Sequence, residues 1–186
     1  MNTEDVLARI VSALEGADIP YMLTGSLASS IYGTPRATKD IDIVISPSEG
    51  QLRKLKELLP GTEYYFDLDD ALDAVRRRSQ FNVIDFASMW KVDLIVQKRR
   101  PYDRTAFEHK VSIDHEGIRL FVTSAENSII SKLDWAKLGD SEIQLRDVAG
   151  ILRARPERLD RNYIEHWVRE LQLEPQWEAA LRFSVH

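Results

Sequence analysis

The stretch that decides the fold runs Leu23-Thr-Gly-Ser-Leu-Ala-Ser-Ser-Ile-Tyr-Gly-Thr-Pro-Arg-Ala-Thr-Lys-Asp-Ile-Asp-Ile-Val-Ile45. Its last six residues alternate. Ile41, Ile43 and Ile45 share one face of a strand, and Asp40 and Asp42 leave the other. Two carboxylates projecting together from a rigid strand repel by about 3 kcal/mol at ~5 Å and a surface-like dielectric. A fold tolerates that most readily with a cation between them, and an all-oxygen site suits Mg²⁺ (or Mn²⁺). Upstream, Gly25 lets backbone approach a ligand without a Cβ in the way. Ser26 stands where a helix begins, and the free N–H groups there, with the hydroxyl, make an anion site suited to phosphate.

Working outward, residues 21–23 read as a short strand, 24–26 as a turn and 27–32 as a short helix. On the N-terminal side, Val6, Leu7, Ile10, Val11 and Leu14 recur at helical spacing. On the C-terminal side, Ser48 caps a helix carrying Leu52, Leu55, Leu58 and Leu59, closed by Pro60-Gly61. Residues 62–79 are less regular, their second half helical in texture. Two β-rich runs follow at 81–86 and 91–96, then a hairpin candidate at 110–114 and 118–122. Each of the first two carries one acidic residue, Asp85 and Asp93, and either is a candidate third carboxylate. A phosphate-cradling turn beside a three-carboxylate metal region is what in-line attack on a nucleotide phosphate needs.

After residue 122 the texture changes. Ser124 caps a helix reaching about residue 137, and 141–152, 161–171 and 175–183 also read as helices. The expectation is an α/β (α+β) core over residues 1–123, a mixed sheet flanked by helices, and a C-terminal helical subdomain over 124–186. The 186 residues are 44% hydrophobic and 30% charged, which excludes whole-chain disorder. The absence of cysteine excludes a disulfide scaffold, a zinc–cysteine site and a thiol nucleophile. Thirty acidic against 25 basic residues give a net charge of -5, which disfavours a general nucleic-acid binder. The N-terminus lacks the pattern of a signal peptide and no apolar run reaches a membrane span, so a soluble, cytoplasmic protein is expected. The four histidines are scattered without metal-ligand spacing, and the basic runs 76–78 and 98–100 read as solvated faces.

Gly25-Ser26, then Arg36, Thr38 and Asp40-x-Asp42, then a later strand aspartate, resembles the nucleotidyltransferase fold of the polymerase-β superfamily. More narrowly, the chain resembles small bacterial nucleotidyltransferases related to abortive-infection toxins, which carry a later helical lysine and a following Arg-Asp. Here these are Lys132 and Arg146-Asp147. The Lys-Val-Asp-Leu context favours Asp93 over Asp85 as the third carboxylate. The resemblance implies a Mg²⁺-dependent enzyme that moves a nucleoside monophosphate from a nucleoside triphosphate to a hydroxyl acceptor, with Asp40, Asp42 and Asp93 as catalytic metal ligands. It implies nucleotide contacts from Gly25, Ser26, Arg36, Thr38 and Lys132, and a nucleotide-side or lysine-positioning role for Asp147. The acceptor is left open among a small molecule, an RNA end and a protein hydroxyl, with RNA not favoured. Catalytically silent nucleotide or partner binding and metal-dependent phosphoester hydrolysis are the competing readings. The apolar stripes of the C-terminal helices read as core or as a homodimer surface.

Overall fold

A computed structural model of the chain describes residues 3–33, 38, 40–115, 117–139, 141–154 and 157–184. The chain divides into two compact units, one of residues 1–24 and 38–122, the other of residues 25–37 and 123–186.

The first unit is built on a seven-stranded sheet. Its strands are β1 (Tyr21–Thr24), β2 (Asp40–Ile45), β3 (Tyr64–Tyr65), β4 (Gln80–Asp85), β5 (Lys91–Val96), β6 (Val111–His115) and β7 (Ile118–Val122). They lie in the order β3-β4-β5-β2-β1-β7-β6. β2 runs antiparallel to β1 and parallel to β5. The alternation read in the sequence is realised: Ile41, Ile43 and Ile45 are fully buried, as are their register partners Val92, Leu94 and Val96. Phe81 and Val83 continue this apolar face onto β4. Burying each such side chain is worth about 1.5–3 kcal/mol, which fixes which way the strand faces.

Helices α1 (Thr3–Gly16), α3 (Glu49–Leu58) and α4 (Leu68–Arg77) belong to this unit, α3 packing on both α1 and α4. The apolar stripe of α1 is buried along its length. α3 starts at a capping box in which Ser48 Oγ accepts from Gln51 N and Gln51 Oε1 accepts from Ser48 N. α4 is the helical second half of the irregular stretch. Its N-cap Asp67 accepts from Asp69 N and Asp70 N, and it closes at Arg78 in the left-handed region, φ 55°. A helix not anticipated from sequence, α5 (Pro101–Glu108), follows the basic run 98–100 with proline in its first turn.

The second unit gathers α2 (Gly25–Tyr32), α6 (Ala125–Gly139), α7 (Glu142–Ala154), α8 (Arg161–Glu170) and α9 (Glu174–Ser184). α6 is its centre, packed against the other four helices. It begins where Ser124 Oγ accepts from Asn127 N, the cap expected from sequence. α2 packs on α6 and α7. Gly33, just past α2, permits close approach there: a Cβ would stand 3.0 Å from Ile151 N. Among the described residues no helix is long and apolar enough to cross a membrane.

Burial raises the pKa of Tyr21 to about 12, and pushes those of Tyr64 and Tyr163 upward as well. Deprotonation therefore costs more in the folded chain than in the unfolded one. Stability is untouched by Tyr21 below about pH 10 and falls as pH climbs from 10 towards 12, by roughly 2–3 kcal/mol in all. Urea unfolding between pH 9 and 12 should show this loss, and Tyr21→Phe should reduce it, leaving the part due to Tyr64 and Tyr163.

Candidate active site

Asp40, Asp42 and Asp93, the carboxylates favoured from the sequence as metal ligands, lie on the face of the sheet opposite the isoleucines. β2 and β5 pair in parallel with Asp40 opposite Lys91 and Asp42 opposite Asp93. Parallel neighbours in register present their side chains on the same face, with strands ~4.8 Å apart. Asp42 and Asp93 are therefore adjacent across the ladder, and Asp40 precedes Asp42 by one pleat repeat. Thr24, last residue of β1, is the register partner of Asp42 on its other side. The chain continues from it directly into Gly25.

The rival Asp85 is on the other face. Asn82 is the residue of β4 in register with Asp93, so Asp85, three positions on, has opposite parity. It is 1% exposed and receives Arg9 Nη2 of α1 at 2.7 Å and the Ser88 hydroxyl. Asp85 is a structural anion. Arg9→Met would leave it charged and buried, and because the Arg9 side chain is 38% exposed the loss should be about 2 kcal/mol, below that for a fully buried pair. A lowered urea midpoint with the carboxylate face unaltered is the expected result.

A residue that sequence reasoning passed over stands among the carboxylates. Lys91 Nζ is 3.0 Å from Asp93 Oδ2 and 3.7 Å from Asp40 Oδ1. The hydrogen bond with Asp93 raises the pKa of Lys91 above the usual lysine value, burial opposes it, and attraction to Asp93, Asp40 and Asp42 adds to the rise. The signal was present in the sequence, since Lys91 sits two residues before Asp93 on one strand, but its approach to Asp40 needs the register. Asp93 Oδ1 is buried with no hydrogen-bond partner. A buried carboxylate oxygen without a partner costs free energy unless something supplies positive charge to it. Among the described residues no three His, Asp or Glu side chains form a metal cage by themselves. Mg²⁺ does not require one, because it is held by one or two carboxylates together with substrate phosphate oxygens and water. The donor set of Asp42 and Asp93 fits that mode.

Thr38 Oγ1 is within 3.4 Å of Asp40 N and 3.3 Å of Asp40 O, so it acts on the backbone entering β2. Arg36 lies outside the described residues.

In the second unit, Gly25 opens α2 with φ 68°, a conformation only glycine adopts without strain. Ser26 is the second residue of that helix, and its carbonyl accepts from Ser29 Oγ and Ser30 Oγ, both at 2.9 Å. Lys132 of α6 is 4% exposed. Its Nζ donates to Asp147 Oδ2 at 2.6 Å and to Gln144 Oε1 at 3.2 Å, both on α7. Arg146, by contrast, turns to Glu142 on the exposed surface of α7. The structure thus brings Lys132 and Asp147 together, with Asp147 holding the lysine.

No family model matches the chain, and its sequence matches none of the curated proteins. Solved structures do match its fold. One is an antigenic nucleotidyltransferase-like protein from Paracoccidioides brasiliensis, with a TM-score of 0.56 at 16% identity over 95% of this chain and 91% of that one. Another is the lincosamide antibiotic adenylyltransferase LnuA, lincomycin-bound, with a TM-score of 0.51 at 14% identity over 80% of this chain and 96% of that one. At these identities the likeness is one of architecture: the chain has a nucleotidyltransferase fold.

Proposed function

We propose that the protein is a divalent-cation-dependent nucleotidyltransferase that moves a nucleoside monophosphate from a nucleoside triphosphate to a hydroxyl group. The observation that carries this is the register of Asp42 with Asp93 on one sheet face, Asp40 beside them, and a buried Asp93 oxygen without a partner. Asp42 and Asp93 would hold the cation, and Asp40 would add negative charge beside them. A bound cation would neutralise phosphate charge and ease deprotonation of the acceptor hydroxyl. Asp93 accepts the proton of the acceptor hydroxyl, whose oxygen forms a bond to the α-phosphorus. The bond from that phosphorus to the bridging oxygen breaks, and pyrophosphate leaves with the electron pair. Gly25, Ser26, Arg36 and Lys132 are the residues the motif offers for nucleotide contact, the N–H groups at a helix start being suited to phosphate oxygens. Thr38 positions Asp40, and Asp147 positions Lys132.

A small-molecule hydroxyl suits the net charge of -5 better than a polyanionic RNA end does, and LnuA, of similar fold, is an antibiotic adenylyltransferase. The test is incubation with each α-³²P-labelled triphosphate, Mg²⁺ and a cell extract. Label should appear in the low-molecular-weight fraction with release of pyrophosphate. Phosphate release from monoesters or cleavage of nucleic acid without triphosphate would replace this reading with a hydrolase. Tight triphosphate binding without transfer would replace it with a binding module.

A further inference from the structure

The position of Lys91 has a consequence for how the site fills. Its side chain is 41% exposed and that of Asp40 54%, whereas that of Asp93 is 11% exposed. The ammonium therefore reaches inward, from a solvent-facing stem, to the most buried of the three carboxylates. A flexible four-carbon stem lets the ammonium leave Asp93 while staying close to the carboxylate face. While it stays, it supplies positive charge to Asp93 and Asp40 and occupies one of the two Asp93 oxygens.

We propose that Lys91 is a resident counter-ion that competes with a lone divalent cation for Asp93, and that yields this place when a triphosphate arrives. This rests on the metal-site reading above and deepens it. A cation entering alone must displace the ammonium from Asp93 and leave it beside the metal, where like charges repel. A triphosphate changes that balance. Its oxygens bring the negative charge that the displaced ammonium can pair with, so cation and nucleotide favour one another's binding. By linkage the coupling is reciprocal: whatever the triphosphate adds to cation affinity, the cation adds to triphosphate affinity. Lys91 thus makes loading of the site conditional on the substrate.

The experiment is titration of the full-length protein with Mn²⁺, with free ion read by electron paramagnetic resonance. It is run with and without a triphosphate whose α,β-bridging oxygen is replaced by methylene. Lys91→Met should bind Mn²⁺ alone about three- to fivefold more tightly than the wild type, the worth of one partly exposed ion pair. With the analogue present the two should differ by less than about twofold, so coupling is smaller in the variant. Lys91→Gln, of different shape and equally uncharged, should behave as Lys91→Met does, and thermal unfolding checks that both are folded. Equal Mn²⁺ affinity of wild type and both variants without nucleotide, or weaker binding in the variants, overturns the proposal. Asp42→Asn separates the two layers. If it abolishes Mn²⁺ binding in the presence of the analogue while the lysine variants match the wild type, the metal site stands and the role of Lys91 falls. If Asp42→Asn binds Mn²⁺ as the wild type does, or the wild type binds none, both fall.

Discussion

Asp42→Asn is expected to lower nucleotidyl transfer by at least about a thousandfold, about 4 kcal/mol of transition-state stabilisation, while leaving the protein folded. The loss follows from the register. Asp42 is flanked on one side by Asp93 and on the other by the end of β1, so no other carboxylate on that face can replace its charge at the same place. Folding should survive for the complementary reason. Asparagine keeps the side-chain shape, and Asp93 and Asp40 still face the Lys91 ammonium. The melting temperature should stay within a few degrees of wild type. Asp85→Asn should give the converse, a clear fall in stability with transfer retained, because Asp85 serves Arg9 and Ser88 on the opposite face. Steady-state kinetics and thermal unfolding of the two variants side by side would check both. Equal loss of activity in the two would contradict the assignment of faces.

The second large effect is on stability. Asp147→Ala is expected to cost roughly 3–5 kcal/mol, because it leaves the ammonium of Lys132 in a site 4% exposed, without the carboxylate that meets it at 2.6 Å. Lys132→Met should cost less: a flexible apolar chain replaces the lysine stem, and the Asp147 carboxylate, 13% exposed, lies nearer solvent. The double variant Lys132→Met/Asp147→Leu should recover much of the loss, since replacing a buried pair by apolar groups is often near neutral. Urea midpoints of the three variants and the wild type test this. A double variant no more stable than Asp147→Ala alone would mean that the two residues act independently.

What could be read from sequence, and what could not, divides along local and non-local physics. The strand at residues 40–45 was legible because alternation of isoleucine with aspartate has only one comfortable arrangement, apolar face in and acidic face out. The α1 stripe and the Ser48 and Ser124 caps were legible for similarly local reasons. The choice of Asp93 over Asp85 rested on the resemblance of its Lys-Val-Asp-Leu context alone, since the face each occupies depends on which residue of β4 lies opposite Asp93. Register across a sheet is set by packing that no single strand encodes. The partner that explains Asp85 was not legible, because Arg9 is 76 positions away in sequence. Lys91 escaped notice for the same reason: its proximity to Asp40 arises from parallel pairing of strands separated in sequence by α3, β3, α4 and β4. The helix α5 was hidden by the basic run before it, although Pro101 at its start is a known helix opener. That α2 sides with the C-terminal helices is a matter of tertiary packing, made close at Gly33 and Ile151, and the chain there gives no compositional sign of it.

The most direct test of the central claim is a crystal structure with Mn²⁺ and the methylene-bridged triphosphate, with the ion located by its anomalous scattering. The account predicts Mn²⁺ bonded to carboxylate oxygens of both Asp42 and Asp93 and to phosphate oxygens of the nucleotide. Mn²⁺ held elsewhere, or a nucleotide bound away from that sheet face, would contradict it.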